Sequence, residues 1–143
     1  MTQKRKSLTS IYVNILKNGG SVSDLPMEKT PTLAEMLNGH LGRTSKPIKT
    51  VAELAGLNNA SMHKILGGEM HPSRNTLLRL SLVMELSFED TQALLKAGNR
   101  SMLSGSRNRD LIIMEGIIQR QGLGSVNAAL TRQGFGDLFS KQD

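Results

Sequence analysis

The chain has 143 residues, with 38% hydrophobic and 21% charged positions and no cysteine, which fits one globular domain and excludes disulfides, thiolate metal sites, a cysteine nucleophile and the composition of a disordered chain. Eighteen Lys and Arg stand against twelve acidic residues, a formal net charge of +6, which makes polyanions, nucleic acid first, the natural partners. The surplus is spread out, with five basic and three acidic groups over residues 32–75, so ordinary solvated surface charge remains the competing reading. With one Tyr, three Phe and no Trp, the core must come from Leu, Ile, Val, Ala and Met, which favours helices over strands.

Met1–Lys6 is basic, but no apolar stretch of signal-peptide type follows it. No apolar run approaches the ~20 residues that span a bilayer. A cytoplasmic protein without a membrane partner is the expectation. Leu8, Ile11, Tyr12, Ile15 and Leu16 form one helical stripe, stopped by Gly19-Gly20. Ser21–Lys29 reads as a connector, and Thr30-Pro31 as an N-cap with proline at the first helical position. Leu33, Met36, Leu37, His40 and Leu41 repeat the helical spacing, with His40 on the apolar seam as a structural histidine.

Pro47 opens a short helix carrying Val51, Ala52, Leu54 and Ala55, and Gly56 ends it. Asn58 is placed to cap the next helix, whose inner face is Met62, Ile65 and Leu66. Ser73 caps a helix bearing Leu77, Leu78, Leu80 and Met84. Ser87-Phe88-Glu89-Asp90 resembles a capping box, and Gly98 is the expected C′ residue of the helix it starts. Residues 98–108 read as a linker. A helix from about Arg109 to Gln121 and a last one capped by Ser125 follow, separated by a turn at Gly122 and Gly124. No strand and no fixed-period repeat is evident. The methionines read as gap-fillers in the core.

Thr50–Ser73 therefore has the layout of a helix-turn-helix: small Ala52 for close helix approach, Gly56 for a turn at positive φ, and apolar Leu57 and Met62 to pack the second helix back. On Ala52, Gly56, Ile65, Gly68, Pro72-Ser73, Leu77-Leu78, Leu80 and Leu86-Ser87, the stretch from Leu33 to Gly98 resembles the phage-repressor-like (Xre/Cro) helix-turn-helix family. Arg109-Asp110, Gly122-Leu123, Val126-Asn127 and Leu130 extend the likeness to small bacterial Xre-like regulators with an added C-terminal segment. The resemblance implies an all-α fold. It would have an N-terminal helical extension over residues 1–31, a five-helix DNA-binding domain over 32–98 and a C-terminal helical pair over 99–143.

It further implies a sequence-specific transcriptional regulator, expected to repress, that binds double-stranded DNA as a homodimer and needs no cofactor. By position, Asn59, Ala60, Ser61 and His63 would face bases, while Arg43, Lys49, Asn58, Lys64 and Arg74 would meet phosphates or hold the helix start at one. The bland alternatives are a cap for Asn58, support of that cap for Ser61, and solvated surface charge for Lys64 and Arg74. Ile48, where the family often has Gln, and Glu69 and Met70, where it is often basic, depart from the pattern. They motivate a second expectation, a protein-interaction adaptor on the same fold. No P-loop, metal-binding His pair, nucleophile elbow or dinucleotide fingerprint is present, and no enzymatic activity is expected. Arg109-Asp110 reads as an ion pair or as helix-start electrostatics. Ile112, Ile113, Ile117 and Ile118 would supply either a dimer or partner surface or burial against the chain's own core.

Overall fold

The computed structural model describes residues 2–25 and 30–141, with side chains from Thr9 onward except that of Asp24. Every regular element among them is helical. Residues Met1–Thr30 and Pro31–Asp143 form two compact units. In the first, α1 (Thr2–Lys17) is followed by a 3₁₀ turn at Val22–Asp24. Gly20 N–H donates to Ile15 O at 2.9 Å and closes α1 where the two glycines predict. Tyr12 and Ile15 are half-buried, but Ile11 and Leu16 of the expected stripe are exposed. Met1, the side chains of the basic start up to Lys6 and of Leu8, and residues 26–29 of the expected connector lie outside what is described.

The second unit runs through α2 (Leu33–Arg43), α3 (Ile48–Leu54), α4 (Asn59–Leu66), α5 (Arg74–Val83), α6 (Phe88–Ala97), α7 (Asn108–Ile118) and α8 (Leu123–Arg132). Four of these helices start on one device. Thr32, Asn58, Ser73 and Ser87 sit in extended backbone and accept a hydrogen bond from the amide three residues on, each contributing about 1 kcal/mol. The cap of α2 is Thr32 rather than the expected Thr30. Only Thr32 has Glu35 three residues later to return the bond to the cap amide. Helix α8 is capped at Gly122, φ +85°, three residues before the expected cap Ser125, and begins at Leu123, so Gly124 lies inside the helix. Leu123 then packs against both apolar clusters, which fixes that start. The left-handed residue after α6 is Asn99, at φ +56°, not Gly98; asparagine tolerates this conformation better than most residues.

Two apolar clusters meet at α5. Leu37, Val51, Ala52, Met62, Ile65, Leu80, Met84 and Leu94 belong to one. Leu77, Leu78, Leu82, Leu95, Leu103, Ile113, Ile117, Val126, Leu130 and Leu138 belong to the other. Residues Asn75 to Val83 of α5 are all buried, which makes α5 the central helix of the unit. The pair α7–α8 thus packs on the chain's own core, burying Ile113 and Ile117, while Ile118 stays 61% exposed. A Cβ on Gly116 would come within 2.1 Å of Val126 Cγ2, so glycine there permits the close α7–α8 contact. The expected linker, residues 98–108, is a fixed connection inside this unit. Gln92 accepts from Leu103 N–H and donates to its carbonyl, and Arg100 Nε donates to Pro72 O at 3.0 Å.

A buried cation joins the end of α3 to the C-terminal residues. Arg79, on α5, donates from Nε to Ala55 O at 2.7 Å, from Nη1 to Leu138 O at 2.6 Å and from Nη2 to Thr76 Oγ1 at 3.2 Å. Its guanidinium carbon lies 4.8 Å from the centre of the Phe139 ring. Arg79→Met keeps most of the volume but leaves two buried carbonyls without their donor. It is expected to destabilise the fold by roughly 3–5 kcal/mol, measured by denaturant unfolding; a loss under ~1 kcal/mol contradicts the clasp.

Candidate nucleic-acid interface

Helices α3 and α4 are joined by a turn over residues 55–58. Gly56, at φ +74°, carries the reversal, and Leu57 N–H donates back to Ala52 O at 2.8 Å. A Cβ on Gly56 would meet Phe139 Cε1 at 2.6 Å, so the turn needs glycine for its backbone and for the ring lying against it. Ala52 and Met62 are fully buried between the two helices, and Ile65 is 2% exposed. Asn38 Nδ2 donates to Leu66 O at 3.1 Å and ties the last turn of α4 to α2.

With that side of α4 buried, Asn59, Ala60, His63 and Lys64 share its exposed side at the one-turn spacing of a single helical face. Ser61 is half-buried and turned partly inward. Asn58 Oδ1 accepts from Ser61 N–H at 2.7 Å, so its side chain holds the helix start. Lys49 on α3 is exposed. Arg43, at the end of α2, is exposed but spends one amino group on His40 Nδ1 at 3.0 Å. The carboxylates Glu53 and Glu69 are exposed on the same pair of helices and the loop that follows.

Arg74 is placed otherwise than its expected phosphate role requires. It donates to both carboxylate oxygens of Asp110, at 3.1 and 2.9 Å, and to the carbonyls of Ser101 and Met102. Its side chain is 15% exposed and that of Asp110 3%. Asp110 also accepts from Arg107 Nε and Ser104 N–H, both at 3.0 Å. The partners of Asp110 are therefore Arg74 and Arg107, not the neighbouring Arg109. Arg109 instead donates to the carbonyls of Gly136 and Asp137 and to Asn75 Oδ1. Asn75 in turn donates to Ser140 O at 2.8 Å, and Asn127 accepts from Leu138 N–H at 2.9 Å.

Arg79, Asn75 and Arg109 hold the C-terminal residues beside the α3–α4 turn, and the sequence reading passed over all three as site residues. The available signal was the pattern of α5 itself: Arg79 interrupts a run of Leu residues that leaves no polar face, so its charge has to be buried and satisfied. His40 is buried, as its seam position predicts. Among the described residues no group of three His, Asp or Glu side chains is arranged to hold a metal ion, and no helix is long and apolar enough to cross a membrane. Comparison with protein-family models, with curated proteins and with solved structures finds no match to this chain.

Two buried titratable groups make stability pH-dependent. Burial lowers His40 below its usual value near 6.5, Asp90 opposes this, and Arg43 adds to it. The unfolded chain takes up that proton first, so the contribution of neutral His40 is complete above pH ~6.5 and fades as pH falls below it. Burial pushes Asp110 up, but the hydrogen bonds from Arg74, Ser104 and Arg107 outweigh it and hold the carboxyl below its usual value of 3.8. Its stabilisation is present above that value and lost as pH falls through the lower folded one. Asp110→Asn is expected to cost about 3 kcal/mol at pH 7, with the gap from wild type closing in acid. Thermal unfolding from pH 7 to 3 checks this; a gap constant with pH contradicts it.

Proposed function

We propose that the chain is a sequence-specific DNA-binding transcriptional repressor. In this reading α2–α6 are a repressor-like five-helix domain, α3–α4 its helix-turn-helix, and α7–α8 an added pair packed on it. The observation that carries the reading is the division of α4: Met62 and Ile65 are buried, while Asn59, Ala60, His63 and Lys64 stand exposed beyond an Asn58-capped start. That division suits entry of the first turn of α4 into a major groove.

Each role follows from the chemistry of its side chain. The Asn59 carboxamide matches the N6 donor and N7 acceptor of adenine, and the Ala60 methyl matches a thymine methyl. His63, one turn on, reaches the next base edge, and Ser61 stays at the margin of the contact. Lys64, Lys49 and Arg43 meet phosphates, while Asn58 orients the helix start toward one. Arg74 leaves the phosphate set because Asp110 occupies it. The repressor acts as a homodimer on half-sites about 34–36 Å apart. Leu111 and Ile118 are 45% and 61% exposed and lie seven residues apart on one face of α7, which gives the dimer or another protein partner an apolar strip.

Exposed Glu53 and Glu69, together with the engagement of Arg74 by Asp110, favour a second reading, a protein-interaction adaptor. Selection from a random duplex library separates the two. The repressor enriches a pseudo-palindrome. Asn59→Ala then costs about 1–3 kcal/mol and relaxes one base position, and Lys64→Ala lowers the slope of log K against log salt by about 1. Absence of any enriched sequence overturns the repressor and leaves the adaptor.

A further inference from the structure

Beside the Arg74–Asp110 pair lies a cavity of about 390 Å³, formed by the start of α5, the α6–α7 connection and the start of α7. Every described residue lining it is polar, and Arg74, Arg100, Arg107 and Arg109 are among them, with Asp110 the sole carboxylate among the described residues. We infer that this cavity binds a small phosphate-bearing anion.

The carboxylate within it does not act as a repelling charge. Both Asp110 oxygens are occupied, by Arg74 twice, by Arg107 Nε and by the Ser104 amide. It serves to orient the guanidinium groups. Leaving Arg109 aside as an anchor of residues 136–137, three guanidiniums face one carboxylate among the described residues, an excess of two positive charges in a concave space. Donors remain for a ligand. Arg100 spends its Nε–H on Pro72 O, and its two terminal amino groups make no hydrogen bond among the described residues. Arg107 uses Nε on Asp110 and Nη2 on Met102 O at 3.1 Å, keeping Nη1, and its side chain is 54% exposed at the mouth.

A guanidinium held by its Nε presents its remaining N–H fork in a fixed plane, which fits the oxygens of a phosphate. Helix α7 begins at the same place with no side-chain cap on its first amides, and this adds partial positive charge. The volume exceeds one phosphate and falls within the ~300–1,000 Å³ of small-ligand sites. Among the described residues no aromatic or aliphatic side chain lines it to stack a base, so the ligand is a compact phosphorylated molecule, such as a pyrophosphate or a sugar phosphate, rather than one held by its nucleobase. Capture of the anion does not depend on the DNA reading of α4.

Calorimetric titration of the full chain with pyrophosphate, at fixed ionic strength, tests this. A saturable one-to-one isotherm is expected, with sulfate and chloride weaker. Arg100→Gln and Arg107→Glu are each expected to weaken binding about tenfold or more. Arg132→Gln, which removes a charge from the exposed end of α8, is expected to leave binding unchanged. Circular dichroism verifies that each variant is folded; Arg100→Gln carries the test if Arg107→Glu is not, and the wild-type isotherm is decisive by itself. Absence of saturable binding overturns the proposal, as does equal weakening by Arg132→Gln. Displacement of pyrophosphate by duplex DNA, with a matching loss of DNA affinity in Arg107→Glu, also overturns it and makes the cavity a contact for backbone phosphate.

Discussion

The geometry of the α3–α4 unit depends on a buried arginine. Arg79 reaches from the central helix to the carbonyl that ends α3 and to the carbonyl of Leu138, and the ring of Phe139 covers its face. Burying a guanidinium costs several kcal/mol unless its N–H groups find acceptors. Here backbone carbonyls at two chain positions far from Arg79 supply them, and both must be in place together. The turn that precedes α4 and the C-terminal residues are thereby fixed to the same helix. Gly56 completes the arrangement, because any side chain there would displace the Phe139 ring. The outward face of α4 is held by packing and by this clasp, not by its own eight-residue length, which is too short for independent stability.

The same economy runs through the charged residues. Arg74, Arg79 and Arg109 all hold backbone carbonyls or an internal carboxylate, and Arg100 commits its Nε to the Pro72 carbonyl. A formal charge of +6 therefore overstates the cationic surface that can meet a duplex. The exposed set around α4 is Lys49, Lys64 and Arg43, opposed by Glu53 and Glu69. Base contacts from a well-placed first turn would then have to carry a larger share of specific affinity than in a strongly basic module.

Local signals were legible in the sequence because their causes are local. Periodic leucines placed the helices of the second unit, and cap residues placed several starts: Asn58, Ser73 and Ser87 each cap the helix they were expected to cap. Gly56 marked the turn through its backbone freedom. Three things were illegible for the opposite reason. Choosing Thr32 over Thr30 required weighing the reciprocal bond from Glu35. Pairing Arg74 with Asp110 spans thirty-six residues, and no periodicity encodes a contact at that separation. The fate of Ile113 and Ile117 turned on whether α7 met its own core or another chain, which an apolar stripe leaves open. The exposed candidates of α4 were readable as positions on a helix face, whereas the loss of Arg74 to an internal partner was not.

The central claim is that α4 offers Asn59, Ala60, His63 and Lys64 to duplex DNA from a rigid platform. Amide chemical-shift mapping of the full chain during titration with duplex DNA at low salt addresses it most directly. The account predicts shifts concentrated at those four residues and at Lys49, with the amides around Arg74 and Asp110 unmoved. Shifts clustered on α7 and α8 or at Arg100 and Arg107, or no shifts at all, would contradict it.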